Sequence, residues 1–368
     1  MGQPRLFVSA GDPSGDQAVA RVIADLQHRL PGLQTFGLGG PCLAQLGQRQ
    51  LAAPEKLAVM GFWEVARRFW FFGNLLRTCQ REIARQNPGA ILLVDYPGFN
   101  LRLARRVRSL GIPIVYYISP QVWAWGQGRI ADIRDLIDRM LVILPFEEPF
   151  FRSNGVKATF VGHYLMEDIP REFIGTAPPG HRRLALLPGS RRQEVSRMLP
   201  EMLKVAAEFN RRHGWTSVVA ARRGVYDYDS LCDRYNQSGV TTVYDDSRRV
   251  IVESDLVLSA SGTATLEVGI IGRPMVIVYK TGWLTYQIAR RLVKLDKIAL
   301  INLVLGENEF PELVQGDATA RRMMLELEHL ANDAKANAQA LERLRTVPSI
   351  LGGAGASERA ASEIAGFL

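Results

Sequence analysis

The chain has 368 residues, 47% of them apolar and 22% charged, with a net charge of +8. This composition is globular, gives length enough for two domains and excludes a disordered chain. Cys42, Cys79 and Cys232 are widely spaced without a CxxC pair, which excludes a disulfide framework and a zinc ribbon and fits a reducing compartment.

In chain order, the N-terminus runs straight into a strand over 5–10 without a charged and apolar leader. Leu6 stands where a myristoylation signal needs Ser or Thr. Residues 9–16, SAGDPSGD, form a glycine-bearing turn that opens a helix. Such a turn aims backbone N–H groups at a ligand or only closes a Rossmann-like first unit. Residues 61–77, GFWEVARRFWFFGNLLR, gather Phe62, Trp63, Phe69, Trp70, Phe71 and Phe72 beside Arg67, Arg68 and Arg77. A helix here either packs both faces inside the protein or touches lipid.

Strands are expected at 90–95, 112–118, 140–144 and 158–161. Asp95 ends the first, in LLVDYPGFN, placed to cap the next helix or to act as a partly buried base. The second leads into YYISPQVWAWGQGR, whose two tryptophans suit a pocket wall or the core. The run 112–128 is uncharged, but Pro113 and Pro120 exclude a membrane span. TAPPGHRR (176–183) reads as a linker, after which strands restart at 184–187, 217–221, 255–259 and 274–278.

Two turns of the second half look alike. In LLPGSRRQEV, a strand runs into Gly189, Ser190 and Arg191 and then a helix; in SASGTATLEVG, Gly262, Thr263 and Ala264 open a helix that carries Glu267. Free N–H groups, a helix dipole and a guanidinium suit a diphosphate. Glu267 suits ribose hydroxyls or a capping box. No GxGxxG or Walker A pattern occurs, so a dinucleotide or P-loop site is not expected. The positive charge calls for an anionic partner. Nucleic acid is set aside because the arginines fall in scattered pairs without a recognition signature. The fold class is α/β, with Rossmann-like domains at 1–170 and 171–345 facing across a deep cleft, and a helical tail at 346–368.

These motifs, in this order, resemble the lipid-A-disaccharide synthase family, glycosyltransferases of the GT-B architecture (family 19). Residues 10–16 are similar to its AGEASGD-type first turn, and LAVMGFWEV (57–65) to its LAVMGxxEV. YISPQVWAW, LPFE, FVGH, LLPGSR with a following Glu, SGTATLE and NLVLGENEFPELVQ (302–315) have counterparts as well. The resemblance runs from Leu6 to Gln315. The chain departs from it at Asp12, where the family has Glu, at Gly98, the second Asp of D-x-P-D-F-N, and at Tyr164, a Pro.

The resemblance implies transfer of a diacylated glucosamine from its UDP derivative to a diacylated glucosamine 1-phosphate. The product is a β-1,6 disaccharide formed with inversion, and no metal or cofactor takes part. It implies catalytic roles for Asp95 and Asp12. Ser14, Asp16, Met60, Asn100 and His163 become substrate contacts, as do Gly189, Ser190 and Arg191. Ser261, Gly262, Thr263, Ala264 and Glu267 join them, with Asn302, Glu312 and Gln315. Acylated substrates imply a cytoplasmic enzyme, peripheral on the inner face of the inner membrane. Phe62, Trp63, Phe69, Trp70, Phe71, Phe72, Arg67 and Arg68 would make that contact. A homodimer stays open. So do two alternatives: another UDP-N-acetylglucosamine enzyme of this architecture, and a non-catalytic paralogue binding UDP-sugars or acylated sugars.

Overall fold

The computed structural model describes residues 3–53, 69–282 and 297–368. Strands β1 (Arg5–Ala10), β2 (Gln34–Leu38), β3 (Arg49–Gln50), β4 (Ala90–Val94), β5 (Ile114–Tyr117), β6 (Arg139–Val142) and β7 (Ala158–Phe160) form one sheet. Its order is β3-β2-β1-β4-β5-β6-β7, and every pairing is parallel. Parallel strands lie between helical layers, so β4 (AILLV) is apolar and buried along its whole length. The covering helices include α1 (Pro13–Arg29), α2 (Pro41–Gln45), α3 (Phe69–Gln86), α4 (Pro97–Val107) and α5 (Glu147–Ser153).

A second parallel sheet contains β8 (Arg183–Leu187), β9 (Thr216–Ala221), β10 (Val240–Tyr244), β11 (Leu256–Ala260), β12 (Met275–Tyr279) and β13 (Glu312–Val314). Its order is β10-β9-β8-β11-β12-β13. Around it run α6 (Leu165–Asp168), α7 (Arg192–His213), α8 (Ser247–Val252), α9 (Thr263–Ile271), α10 (Leu300–Leu305), α11 (Ala320–Asn332) and α12 (Ala334–Ile350). The expected α/β class with two Rossmann-like sheets is what the structure shows.

The chain divides into one unit of residues 1–164 with 352–368, and another of 165–351. The sequence had placed these breaks at 170/171 and 345/346, with a separate tail. The last helix belongs to the first unit: α13 (Ala356–Ala365) packs on α1. Arg359 fastens it, donating to the Val161 carbonyl at 2.8 Å, Ala354 at 2.8 Å and Gly352 at 3.0 Å. The start of the expected linker is fixed too. Buried Arg273 donates to the Ser254 and Val252 carbonyls, each at 2.7 Å, and to both the carbonyl and hydroxyl of Thr176.

The aromatic segment is described only from Phe69, the first residue of α3, and the side chains of Phe69 and Trp70 are not described. Met60, Phe62, Trp63, Arg67 and Arg68 lie outside the described residues. Leu75, Leu76, Cys79 and Ile83, at helical spacing, are buried in the core of the first unit. Phe71 and Phe72 are half-buried against that core, and Phe72 meets Phe99 edge-on at 6.4 Å. These two rings have a packing role that the lipid reading did not foresee. No helix among the described residues is long and apolar enough to cross a membrane.

Candidate active site

In the first sheet the strand order reverses between neighbours β1 and β4, whose ends pair as Ala10 with Val94. Sheets of this kind take ligands at the carboxyl ends of the strands flanking that reversal. Asp12 follows β1 and Asp95 follows β4, so topology sets the two acidic residues side by side. Burial pushes the Asp95 carboxyl up to about 6, and the negative charge of Asp12 adds to the rise. Asp12 Oδ2 accepts from the Ser14 hydroxyl, while its Oδ1 is buried without a hydrogen-bond partner among the described residues.

Two expected substrate contacts in this unit have other occupations. The buried carboxylate of Asp16 accepts from the N–H groups of Gly40 at 2.7 Å, Cys42 at 2.9 Å and Leu43 at 3.2 Å, anchoring the start of α2. Asn100 is fully buried, and its amide donates to the carbonyls of Val94 at 3.0 Å and Asp95 at 2.8 Å. Its Oδ1 accepts from Ser9 Oγ at 2.7 Å. Asn100 therefore holds the strand ends together and has no free face for a ligand. At Gly98 a side chain would meet open space, so the missing second aspartate is no steric requirement.

The two tryptophans divide. Trp123 is buried and donates to Glu147 Oε1 at 2.9 Å, whereas Trp125 is 43% exposed with the Arg129 guanidinium 5.0 Å from its ring centre. Glu147, fully enclosed, also accepts from Ser119 Oγ at 2.7 Å and from the N–H groups of Leu144 at 3.0 Å and Ile143 at 3.3 Å. Burial raises its pKa. His163 is buried with its ring stacked on Tyr164 at 4.7 Å, and burial pushes its pKa down to about 3. It is a neutral ring, unfit to carry charge toward a phosphate.

The second sheet repeats the plan. Its order reverses between β8 and β11, paired through Leu187 and Ser259, and the two phosphate-like turns follow these two strands. After β8, Gly189 has φ +108°, and the N–H groups of Ser190 and Arg191 both donate to Glu194 Oε2 at 3.2 Å. The Arg191 guanidinium is largely exposed, 3.4 Å from Glu194 Oε1. A carboxylate of the chain thus sits on the N–H groups expected to face phosphate. After β11 the turn is open. Thr263 and Ala264 begin α9, where their N–H groups have no intrahelical acceptor, and a side chain at Gly262 would meet nothing.

Glu267 pairs with Arg248, a residue the sequence reading passed over, and Arg248 Nη1 also reaches the Asp168 carbonyl at 2.5 Å. Its signal was available: DDSRRV is a polar turn that opens a helix at the end of a strand, like the other site turns. Asn302 is fully buried, bonded to Phe310 through both its donor and its acceptor and to Glu312 Oε1 at 2.8 Å. Glu312 Oε2 accepts from the N–H groups of Ile298 and Ala299. Gln315, at φ +52°, donates to the Thr281 carbonyl at 3.2 Å. This trio holds loop backbone, and Asn302 cannot reach a ligand. No cluster of three metal-ligating side chains occurs among the described residues.

A family model described as lipid-A-disaccharide synthetase matches residues 6–361. The chain belongs to that family. The lipid-A-disaccharide synthase of Anaeromyxobacter sp. (strain K) is 42% identical over 99% of this chain and 97% of its own length. That of Myxococcus xanthus is 38% identical over 99% and 98%. Solved structures share the fold at low identity. The glycotransferase of kitacinnamycin superposes with a TM-score of 0.65 at 17% identity, covering 100% of both chains. UDP-GlcNAc 2-epimerase from Neisseria meningitidis, bound to UDP-GlcNAc, superposes with a TM-score of 0.62 at 11% identity, covering 98% of this chain and 99% of its own. As a member of the lipid-A-disaccharide synthase family, the protein is a glycosyltransferase of lipid A formation.

Proposed function

We propose that this glycosyltransferase moves a diacylated glucosamine from UDP to the 6-hydroxyl of a diacylated glucosamine 1-phosphate, inverting the anomeric carbon. The observation that carries the mechanism is the placement of Asp95 beside Asp12 at the strand reversal of the first sheet. A half-buried carboxyl titrating near 6 is ionised at neutral pH yet basic enough to take a hydroxyl proton. The acceptor oxygen then attacks the anomeric carbon, the bond to UDP breaks, and the proton stays on Asp95. In the second unit, Arg191 and the N–H groups at Thr263 and Ala264 bear the charge gathering on the departing diphosphate. One preorganised donor of this kind is worth roughly 3 kcal/mol at the transition state. Ser190 contributes its N–H once Glu194 yields it. Glu267 takes the ribose hydroxyls.

Acylated substrates place the work at a membrane surface. The contact we propose there is the aromatic and arginine-rich segment that runs into the first residues of α3, with Phe62, Trp63, Arg67, Arg68 and Trp70 as its lipid-facing part. The test is UDP release on mixing the full chain with both acylated sugars. Stoichiometric disaccharide and UDP support the reading. Tight UDP binding without release, with the donor intact, refutes it and leaves a binding protein.

A further inference from the structure

The turn that carries Asp95 is strained in a specific way. Asp95 and Tyr96 are consecutive non-glycine residues in the left-handed region, with φ +43° and +48°. Left-handed backbone is disfavoured by contacts of Cβ with the chain, and it persists where the surroundings over-determine it. Here three features do so. The Asp95 N–H donates to the Tyr117 carbonyl at 3.0 Å. The Asp95 carbonyl accepts from the Tyr116 hydroxyl at 2.5 Å and from Asn100 Nδ2 at 2.8 Å. The Tyr96 ring lies against Gly11 so closely that a β-carbon there would come within 2.3 Å of it.

Tyr116 is the informative member. It sits in β5 in the middle of the sheet and is fully buried. Phenylalanine would fill that space as well, and a buried hydroxyl without a partner is costly. Its hydroxyl donates to the Asp95 carbonyl and lies within reach of the Asn100 amide. The oxygen thus serves the turn and not the packing.

We infer that Tyr116 is a positioning residue for Asp95: its hydroxyl, with Asn100, clamps the Asp95 carbonyl and fixes the left-handed turn that holds the carboxyl beside Asp12. This rests on the reading of Asp95 as the base. The titratable groups that face Asp95 are Asp12 from the loop after β1, its neighbour Tyr96, and Tyr116 from β5. Freeing the carbonyl lets the turn relax and moves the carboxyl toward water and away from Asp12.

Tyr116→Phe deletes one oxygen and keeps the ring. With the full chain and both acylated sugars, we expect kcat to fall tenfold or more while the donor KM and the affinity for UDP stay at their wild-type values. The acidic limb of the pH–rate profile should move below 6. In an Asp95→Asn background the same change should cost nothing more, since the clamp then has no base to place. A Tyr116→Phe enzyme with wild-type kcat and profile overturns the inference. So does a variant that no longer folds, or one whose loss adds in full to that of Asp95→Asn, because the hydroxyl would then serve the sheet. Failure of the underlying reading looks different: there Asp95→Asn itself keeps its turnover.

Discussion

Arg248 meets Glu267 through one carboxylate oxygen only, with Nε at 3.2 Å and Nη2 at 2.9 Å both donating to Oε1. The pair is partly buried, and among the described residues no donor reaches Oε2, which leaves it to accept from a ligand. Arg248 therefore orients the glutamate and does not neutralise its hydrogen-bonding capacity. Replacing Glu267 with Gln should weaken UDP binding roughly tenfold, about 1.5 kcal/mol, the size of a hydrogen bond to a charged group. Arg248→Met should give a similar loss. Binding of 2′,3′-dideoxy-UDP, which lacks the ribose hydroxyls, should change little in either variant. Calorimetry with both nucleotides decides it, and equal losses for the two would remove the ribose assignment.

Asp95 makes rate and stability respond to pH in opposite senses. Its folded-state value of about 6 lies above the ordinary 3.8, so the folded protein holds this proton more tightly than the unfolded chain does. The resulting stabilisation is complete below pH 4 and is lost as pH rises through 6, about 3 kcal/mol in total. Turnover should rise over the same interval as the base ionises. Asp95→Asn should flatten this group's share of the stability change between pH 4 and 7 and lower kcat at least a hundredfold. Chemical denaturation at stepped pH, read beside initial rates, would show both. An unchanged slope in the variant would count against a buried carboxyl.

Glu147 gathers four donors in the core of the first unit. Glu147→Ala would strand the Trp123 and Ser119 groups and two backbone N–H groups without an acceptor. A loss of about 3–5 kcal/mol is expected, seen as an early thermal transition with shifted tryptophan fluorescence. Glu147→Gln, which keeps one acceptor oxygen, should cost less. Equal stability of the alanine variant and wild type would mean the network carries no weight.

The aromatic segment should separate into two classes of side chain. Phe72→Ala removes a ring that packs on Phe99, so it should lower stability by about 2 kcal/mol and leave vesicle binding alone. Trp63→Ser with Trp70→Ser should reduce co-sedimentation with anionic vesicles severalfold at an unchanged melting temperature. High salt should weaken the arginine share first, because exposed charges are screened over about 10 Å. A low melting temperature in the tryptophan variant, with binding intact, would assign those rings to the core.

Most strands of the two sheets could be read from the sequence because a strand buried on both faces is an apolar run, as in β4 and β11. The strands that escaped break that rule. In β2 (QTFGL), Gly37 replaces a branched residue because a β-carbon there would come within 1.9 Å of the Val8 carbonyl. β10 (VTTVY) is only partly buried and polar in composition, and β13 and β3 have only three and two residues. The site turns were legible because glycine and polar residues at strand ends stand out against apolar runs. The roles of Asn100, Asp16 and Asn302 were not. A polar residue in such a turn reads the same whether it faces a ligand or ties down backbone, and only the partners of its atoms distinguish the two. Arg248 and Tyr116 were hidden for the converse reason: each acts through a neighbour that carries the recognisable motif.

The route of the chain has a consequence for synthesis. Residues 165–351 are one continuous stretch inserted between the pieces of the other unit, and α13 reaches α1 only after that whole stretch has been made. On the ribosome the inserted unit can close on itself while its host still lacks the helix covering α1, with the buried face of α1 waiting for residues 352–368 to emerge. Premature termination after Leu351 would therefore damage the half of the protein made first.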